Sequence, residues 1–323
     1  MKKLALALAI STTLAANAAS AATIYSADGL TYKMKGDWQV QFRDDYKKTN
    51  DTDVEFDDLE IKNTVIYDLG NGLKAFGQLD FSFNSVADDS TKESGHLEEA
   101  YLGLAYDNLK LKIGKTNTAG DEFGVEAAYE SILNQDGFEL VSDKGDDLIR
   151  LEADFDMANI IFSHEIASEG NGSENGETTD LFISTSLNAV SIAAAYQNHQ
   201  AASSSYSDDT WGVSAKFDAG FATLAADYSA TDYGNPATGD KDITNLVAIF
   251  APTKEAKVAI GYVNIDSKAV NSDASSWYAN MSYQFPAQKN VKVFAEIAKA
   301  SFDDAADDAA SEMDILAGMQ IKF

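Results

Sequence analysis

The sequence predicts an all-β fold, namely a transmembrane up-and-down antiparallel β-barrel of about sixteen strands. Apolar and polar side chains alternate with a period of two in repeated runs, of which YKMKGDWQVQFR at 32–43 is the first. Each run is about ten residues long, which is the length of a tilted strand that crosses a bilayer. The connections alternate between short turns and long polar loops, which is typical of a meander whose two ends face different environments.

The strand runs follow one another along the whole chain. Alternation is clear at 32–43, 58–68, 73–84, 109–113, 149–155, 211–218, 277–285, 291–297 and 315–323. It is blurred at 158–164, 243–251 and 257–265. Counting the runs between connections gives about sixteen strands, which is within the range of single-chain membrane barrels.

The connections fall into two classes by length. Short ones lie at 70–72, near 108, and at 157–158, 188–189, 218–220, 252–255 and 286–290. Long polar ones lie at 44–56, 84–96, 116–146, 165–179, 197–208, 229–241, 264–275 and 300–312. Since consecutive antiparallel strands reverse direction, the long connections gather at one end of the barrel and the short ones at the other.

The apolar face of these strands could point to a protein core or to lipid. A soluble sandwich buries its apolar face, whereas a membrane barrel turns that face outwards. Aromatic residues at the inferred strand ends favour the membrane, because such rings sit at the lipid headgroups. They are Tyr32, Phe42, Tyr67, Tyr106, Trp211, Tyr228, Trp277, Phe285 and Phe323. Because an open sheet edge in lipid leaves backbone groups unpaired, we predict a closed barrel with water inside.

The N-terminal residues predict an export signal. The chain starts with the positive MKK, continues with mostly apolar residues at 4–14 and reaches the small residues ASA at 19–21. We therefore predict that residues 1–21 are a cleaved signal peptide and that 22–323 form the barrel. The apolar run is shorter than the roughly 20 residues that a membrane-spanning helix needs.

Composition limits the classes of function. Two of the 24 basic residues leave with the signal, so 22 face 52 acidic ones and the formal charge becomes 22 − 52 = −30. Such a chain repels nucleic acid and attracts cations. The 14 Tyr, 17 Phe and 3 Trp exclude a disordered acidic protein. With no cysteine, stability rests on burial and strand pairing rather than on disulfides.

Several segments resemble those of Gram-negative general porins. ATIYSADGLTYKMKGDWQVQF at 22–42 is similar to the porin opening, and AYLGLAY at 100–106 with LKLKIGK at 109–115 is similar to the segment before the third external loop. The chain ends in GMQIKF, and a terminal Phe such as Phe323 is the assembly signal of this family. The resemblance covers essentially the whole mature chain and implies an outer-membrane location.

The resemblance also implies a function and partners. Porins are usually homotrimers that contact lipid and lipopolysaccharide and form a passive aqueous channel for ions and small hydrophilic solutes. Their third external loop folds into the lumen and narrows the pore, and the candidate here is 116–147. The family's Pro-Glu-Phe-Gly-Gly-Asp segment is absent from it, and DEFG at 121–124 is only loosely similar.

In porins, basic side chains on the wall face carboxylates on this loop. By strand parity we predict the basic wall as Arg43, Arg150, Lys35 and Lys62. The predicted acidic residues are Asp121, Glu122, Glu126 and Glu130 on the loop and Glu98 on the wall. Glu98 stands where well-known porins often have an arginine, and this exchange together with the charge balance predicts a preference for cations.

The remaining charged and polar residues predict no chemistry. The acidic outer loops could hold Ca²⁺ or Mg²⁺, but no run has the spacing of a calcium loop, so we predict a solvated surface with neither metal nor cofactor. His96, His164 and His199 lie far apart with no nucleophile at a recognisable spacing, so we predict no enzyme. Two alternatives stay open: a substrate-specific channel, and a structural or adhesive barrel that acts through its acidic loops.

Overall fold

The computed structural model describes residues 21–47, 52–84, 87, 95–167, 176–202, 204–270, 272–304, 307 and 311–323. The predicted export signal lies outside the described residues, apart from Ala21. No helix in the described part of the chain is long and apolar enough to cross a membrane.

The described residues form one antiparallel sheet. Its strands are β1 (Ala22–Ala27), β2 (Leu30–Asp44), β3 (Asp53–Glu55), β4 (Leu59–Gly70), β5 (Leu73–Ser82), β6 (His96–Tyr106), β7 (Leu109–Asn117), β8 (Lys144–Asp154), β9 (Ala158–Glu165), β10 (Glu177–Leu187), β11 (Val190–Gln200), β12 (Asp208–Asp218), β13 (Ala222–Tyr233), β14 (Lys241–Phe250), β15 (Ala256–Ser267), β16 (Ala274–Phe285), β17 (Gln288–Phe302) and β18 (Asp314–Lys322). The three stretches of blurred alternation correspond to β9, β14 and β15.

The sheet closes on itself, which confirms the predicted barrel. The second half of β2 pairs with β18, from Asp37↔Lys322 to Asp44↔Ile315, and its first half pairs with β4. On the far side, β9 pairs with both β8 and β10. The closed wall therefore consists of β2 and β4 to β18, which is sixteen strands, while the short β1 and β3 pair alongside β2.

The two faces of the wall differ as the alternation predicts. On β10, Asp180 is 1% exposed while its neighbour Leu181 is exposed, and on β6 Leu102 is 73% exposed. The outer face is thus apolar and exposed, and the inner face is polar and buried. This distribution is the reverse of a soluble sandwich and suits a wall in contact with lipid.

The two ends of the barrel are built differently. Tight turns join β4 to β5, β6 to β7 and β10 to β11, and Asn71, Asp107 and Asn188 have φ values of 53°, 54° and 54° there. Two-residue hairpin turns need positive φ, which Asn and Asp tolerate better than most residues. We call this end the turn end and the opposite one, where the long connections lie, the loop end.

Candidate functional site

The third long connection, residues 118–143 between β7 and β8, has local structure of its own. It contains a 3-10 turn at Gly120–Glu122 and the short helix α1 at Gly137–Val141. Asp136 caps α1, because its carboxylate accepts hydrogen bonds from the main-chain N–H groups of Phe138 (2.8 Å) and Glu139 (2.9 Å). We call this segment the third loop.

Three clusters of buried apolar side chains join the third loop to the wall. They are Phe123 and Phe138 with Ile161 and Phe182; Val125 with Val247, Ile249 and Ala259; and Leu133 with Ile243, Val263 and Ile265. Most of the wall members lie on β9, β14 and β15. The alternation of these three strands is blurred in the sequence because inner-face positions covered by the loop are apolar as well.

Polar wall side chains receive the backbone of the third loop. The N–H of Val125 donates to Asp227 (2.9 Å), and the N–H groups of Tyr129 and Glu130 donate to the two carboxylate oxygens of Glu296 (2.8 and 2.9 Å). An irregular loop has no partner strand, so its buried N–H groups need such acceptors. These carboxylates on β13 and β17 therefore hold the loop against the wall.

Arg43 of β2 joins the third loop to two strands of the wall. Its guanidinium donates to Glu130 of the loop (3.0 Å) and to Asp314 of β18 (2.9 Å), and Glu55 of β3 lies 3.8 Å away. Gln41 on the same strand donates to Glu130 as well (2.7 Å). The predicted basic residue and the predicted acidic residue are thus in direct contact.

Arg150 of β8 makes the second such junction. Its side chain, 3% exposed, contacts Glu122 of the loop (2.5 Å) and Glu152 of β8 (2.9 Å). It also donates to the main-chain carbonyls of Asn117 (3.1 Å) and Thr118 (2.7 Å), where the loop leaves β7. Through these contacts Arg150 fixes the start of the loop. Its loss would be costly, because removing one partner of a buried ion pair leaves an uncompensated charge.

The other predicted residues are distributed over three places. Lys62 contacts Asp80 (2.7 Å) and Glu99 (3.1 Å) on the wall. Asp121 accepts a hydrogen bond from Asn117 (2.7 Å), next to the Arg150 junction. Lys35 and Glu126 line a separate cavity nearer the turn end.

Glu98 is set apart by a β-bulge. Opposite β5 the register passes from Asp80↔Glu99 to Phe81↔Leu97, which leaves Glu98 without a partner position. Its carboxylate contacts His96 (2.7 Å) and lies 3.9 Å from Lys144. The carboxylate that reaches Lys62 is that of Glu99, which lies two residues before the buried Tyr101 and so faces inwards by the regular alternation of β6.

Some important carboxylates were not predicted from the sequence. They are Asp80, Glu99, Asp227, Glu296 and Asp314. Each of them is an acidic residue at an inner-face position, which the period of two marks in the sequence. Their partners depend on which strands meet when the barrel closes.

Several acidic groups of the loops have pKa values above the ordinary range for carboxyl groups. Burial raises the pKa of Asp57 to about 7, and the carboxylates of Glu130 and Asp58 add to the effect. Burial also raises the pKa of Glu126 and, more strongly, that of Asp136.

One group of carboxylates at the loop end has the spacing of a metal site. Among the described residues, the carboxylate oxygens of Asp146, Asp147 and Glu165 lie within 4.8 Å of one another. The main-chain N–H groups of Asp146 and Asp147 both donate to Glu165 (3.1 Å each). Asp146 and Asp147 are exposed, and exposed acidic groups are common without a metal, so the cluster is explained by these hydrogen bonds.

Known proteins resemble this chain over nearly its full length. The sequence model of the Gram-negative porin family matches residues 5–305. "Porin-like protein H" of Photobacterium profundum is 24% identical, with 100% of both chains covered, and "Monosaccharide porin" of a Halomonas species is 24% identical, with 96% of this chain and 84% of that protein covered.

Solved structures share the fold at low identity. Vibrio cholerae OmpT in its trimer form has a TM-score of 0.74 and 14% identity, covering 92% of this chain and 100% of that one. Salmonella typhi OmpF in complex with daunomycin has a TM-score of 0.73 and 17% identity, covering 94% and 100%. At this identity the likeness concerns the fold alone.

Proposed function

The chain belongs to the Gram-negative porin family, whose barrels are passive diffusion channels of the outer membrane, and from this premise we propose that its channel prefers cations. The channel conducts ions and small hydrophilic solutes by passive diffusion, without coupling to a chemical reaction. The third loop folds into the lumen and narrows the pore, a proposal that its contacts with inner-face side chains support.

The observation that carries cation preference is the way the basic side chains are surrounded near the third loop. Arg43 is contacted by Glu55, Glu130 and Asp314. Arg150 is contacted by Glu122 and Glu152, and Lys62 by Asp80 and Glu99. Glu152 is shared with Lys110 and Lys112, so five bases meet seven carboxylates in these contacts. The surplus of carboxylates attracts cations to the narrowing.

We also propose that the protein is a homotrimer in contact with lipopolysaccharide and lipid. The exposed apolar outer face supports contact with lipid. The trimer form named for the similar Vibrio cholerae OmpT supports the oligomeric state.

Planar-bilayer recording tests the proposal. The folded protein should add stepwise conductance, and under a KCl gradient its zero-current potential should have the sign of K⁺ preference. A potential with the sign of Cl⁻ preference would overturn cation selectivity, and absence of any conductance would favour the structural or adhesive barrel.

A substrate-specific channel is the second candidate, because one relative is named a monosaccharide porin. In that case a monosaccharide should block the KCl current with a saturable concentration dependence, while a polyol of similar size should not. Equal, linear effects of both solutes would leave general diffusion as the function.

A further inference from the structure

One cavity of the barrel is rich in lysine. It has a volume of about 370 Å³ and lies between the third loop and the wall, reaching the turns that follow β14 and β16. Six lysines line it: Lys35, Lys254, Lys257, Lys289, Lys292 and Lys322. In a chain with 52 acidic and 24 basic residues, this local concentration of positive charge runs against the overall composition.

The topology of the wall brings these lysines together. Lys257, Lys292, Lys322 and Lys35 occupy inner-face positions of β15, β17, β18 and β2, which succeed one another around the barrel except for the intervening β16. Lys254 lies on the turn between β14 and β15, and Lys289 lies at the start of β17. Residues that are distant in sequence thus form one positively charged surface when the barrel closes.

The charges of this cavity are less neutralised than those of Arg43 and Arg150 on the wall. Lys322 contacts Asp37 (2.6 Å), whereas Lys35, Lys254, Lys289 and Lys292 form no ion pair with any residue that the structure describes. The carboxylates facing the group are Glu126 and Glu255 in the lining, with Asp37 and Asp58 beside it. Six ammonium groups therefore face four carboxylates.

The third loop contributes an aromatic contact to the wall of the cavity. Tyr129 of the loop stacks on Phe294 of β17, with ring centroids 4.1 Å apart and planes at 14°. The ammonium of Lys292 lies 4.7 Å from the Tyr129 ring centre. The side chains of Ser282, Asn280 and Gln320 complete a polar lining. Lys292 is thus held at the cavity wall by an aromatic surface instead of a carboxylate.

We propose that this cavity binds a small multivalent oxyanion that carries carboxylate or phosphate groups. Lysine ammonium groups bind such anions as point charges, and enclosed walls strengthen their field. The cavity lies within the roughly 300–1,000 Å³ range of small-molecule sites. The inference goes beyond the channel proposal, because a barrel that prefers cations near its third loop would hold an anion nearer its turn end.

Calorimetric titration of the detergent-folded protein at low ionic strength tests the site without requiring conductance. Citrate is the carboxylate probe and pyrophosphate the phosphate probe. At least one should bind saturably, and the pair of titrations identifies the preferred group. In the double variant Lys35→Gln with Lys292→Gln, binding should weaken about tenfold. The matched double variant Lys74→Gln with Lys110→Gln, which removes two lysines outside this lining, should bind like the native protein.

Two results would overturn the site: no saturable binding of either probe to the native protein, or equal weakening in both double variants. A direct readout in bilayers then separates the site from the channel. The bound probe should reduce K⁺ current at lower concentration when added at the turn end than at the loop end. Loss of conductance with intact calorimetric binding would contradict the channel alone.

Discussion

Arg43 and Lys292 both occupy inner-face positions of the same wall, yet they have opposite surroundings. Arg43 contacts three carboxylates, one of them on the third loop. Lys292 forms no ion pair within the described residues and lies against the rings of Tyr129 and Phe294. The same formal charge is therefore paired with carboxylates in one region and lies against aromatic rings in the other.

This difference shows that the net charge of the chain does not describe the electric field along the lumen. Where Arg43, Lys62 and Arg150 lie, bases are bound by a surplus of carboxylates, and the two arginines hold the third loop in place. At the lysine-lined cavity, bases outnumber carboxylates. The barrel thus has two regions of opposite sign, and each prediction below acts on one of them.

The largest effect is expected from Arg150→Ala. The change leaves Glu122 without its ion-pair partner, whereas Glu152 keeps Lys110 and Lys112. It also frees two carbonyls at the start of the third loop. We expect the free energy of unfolding to fall by about 3–5 kcal/mol, measured by denaturant titration in detergent. Arg150→Lys should lose less. Lys74→Ala, which removes a basic residue of β5 away from the third loop, serves as control, and an equal change in both would contradict the anchoring role.

The next effect concerns selectivity. Glu122→Gln combined with Glu130→Gln removes two negative charges from the third loop while preserving side-chain shape. The ratio of K⁺ to Cl⁻ permeability should fall about threefold, measured from zero-current potentials. The control pair Asp28→Asn and Asp107→Asn changes the same charge at exposed turns, where φ values of 53° and 54° suit Asn. If the control pair lowered the permeability ratio as much, selectivity would depend on the total charge of the protein and not on the carboxylates of the third loop.

A smaller effect should follow pH through Asp57. Because its pKa is raised from 3.8 to about 7 in the folded protein, it keeps its proton below that pH and ionises above it. The folded state gains stability from this group as pH falls from 7 towards 4, and cation preference rises as pH increases through 7. Asp57→Asn should remove this step from the permeability ratio. If the change in the permeability ratio near pH 7 persisted in Asp57→Asn, another group would be responsible for it.

The smallest effect is expected from Lys322→Gln. Its ammonium is already paired with Asp37, so it contributes less to an anion than Lys292 does. Calorimetric affinity for citrate should change by less than about twofold. A loss of affinity as large as that of the Lys35→Gln and Lys292→Gln double variant would mean that ion pairing does not determine how much each lysine contributes to anion binding.

The wall of the barrel was predictable because lipid imposes a simple rule on it. Every second residue must be apolar, so the period of two reveals both the strands and the inward position of Arg43 and Arg150. Where that rule is blurred, as at Val247, Ile249 and Ala259, a second constraint acts, since the third loop packs on the inner face. The exceptions to the pattern therefore mark where the loop contacts the wall.

The contacts of the site were less predictable because they depend on closure and register. Arg43 meets Asp314 only because the first wall strand pairs with the last one. Glu99 takes the place expected of Glu98 because it shares the inner face with Tyr101, whereas Glu98 lies in the bulge of β6. The lysines of the cavity come from four strands and one turn, so no local pattern reveals that they lie together.

Anomalous diffraction from crystals of the protein soaked in rubidium bromide tests the central claim most directly. We expect Rb⁺ beside the carboxylates around Arg43, Lys62 and Arg150, and Br⁻ in the cavity between Lys35 and Lys292. Bromide at the first region, or rubidium in the lysine-lined cavity, would contradict a lumen with two regions of opposite sign.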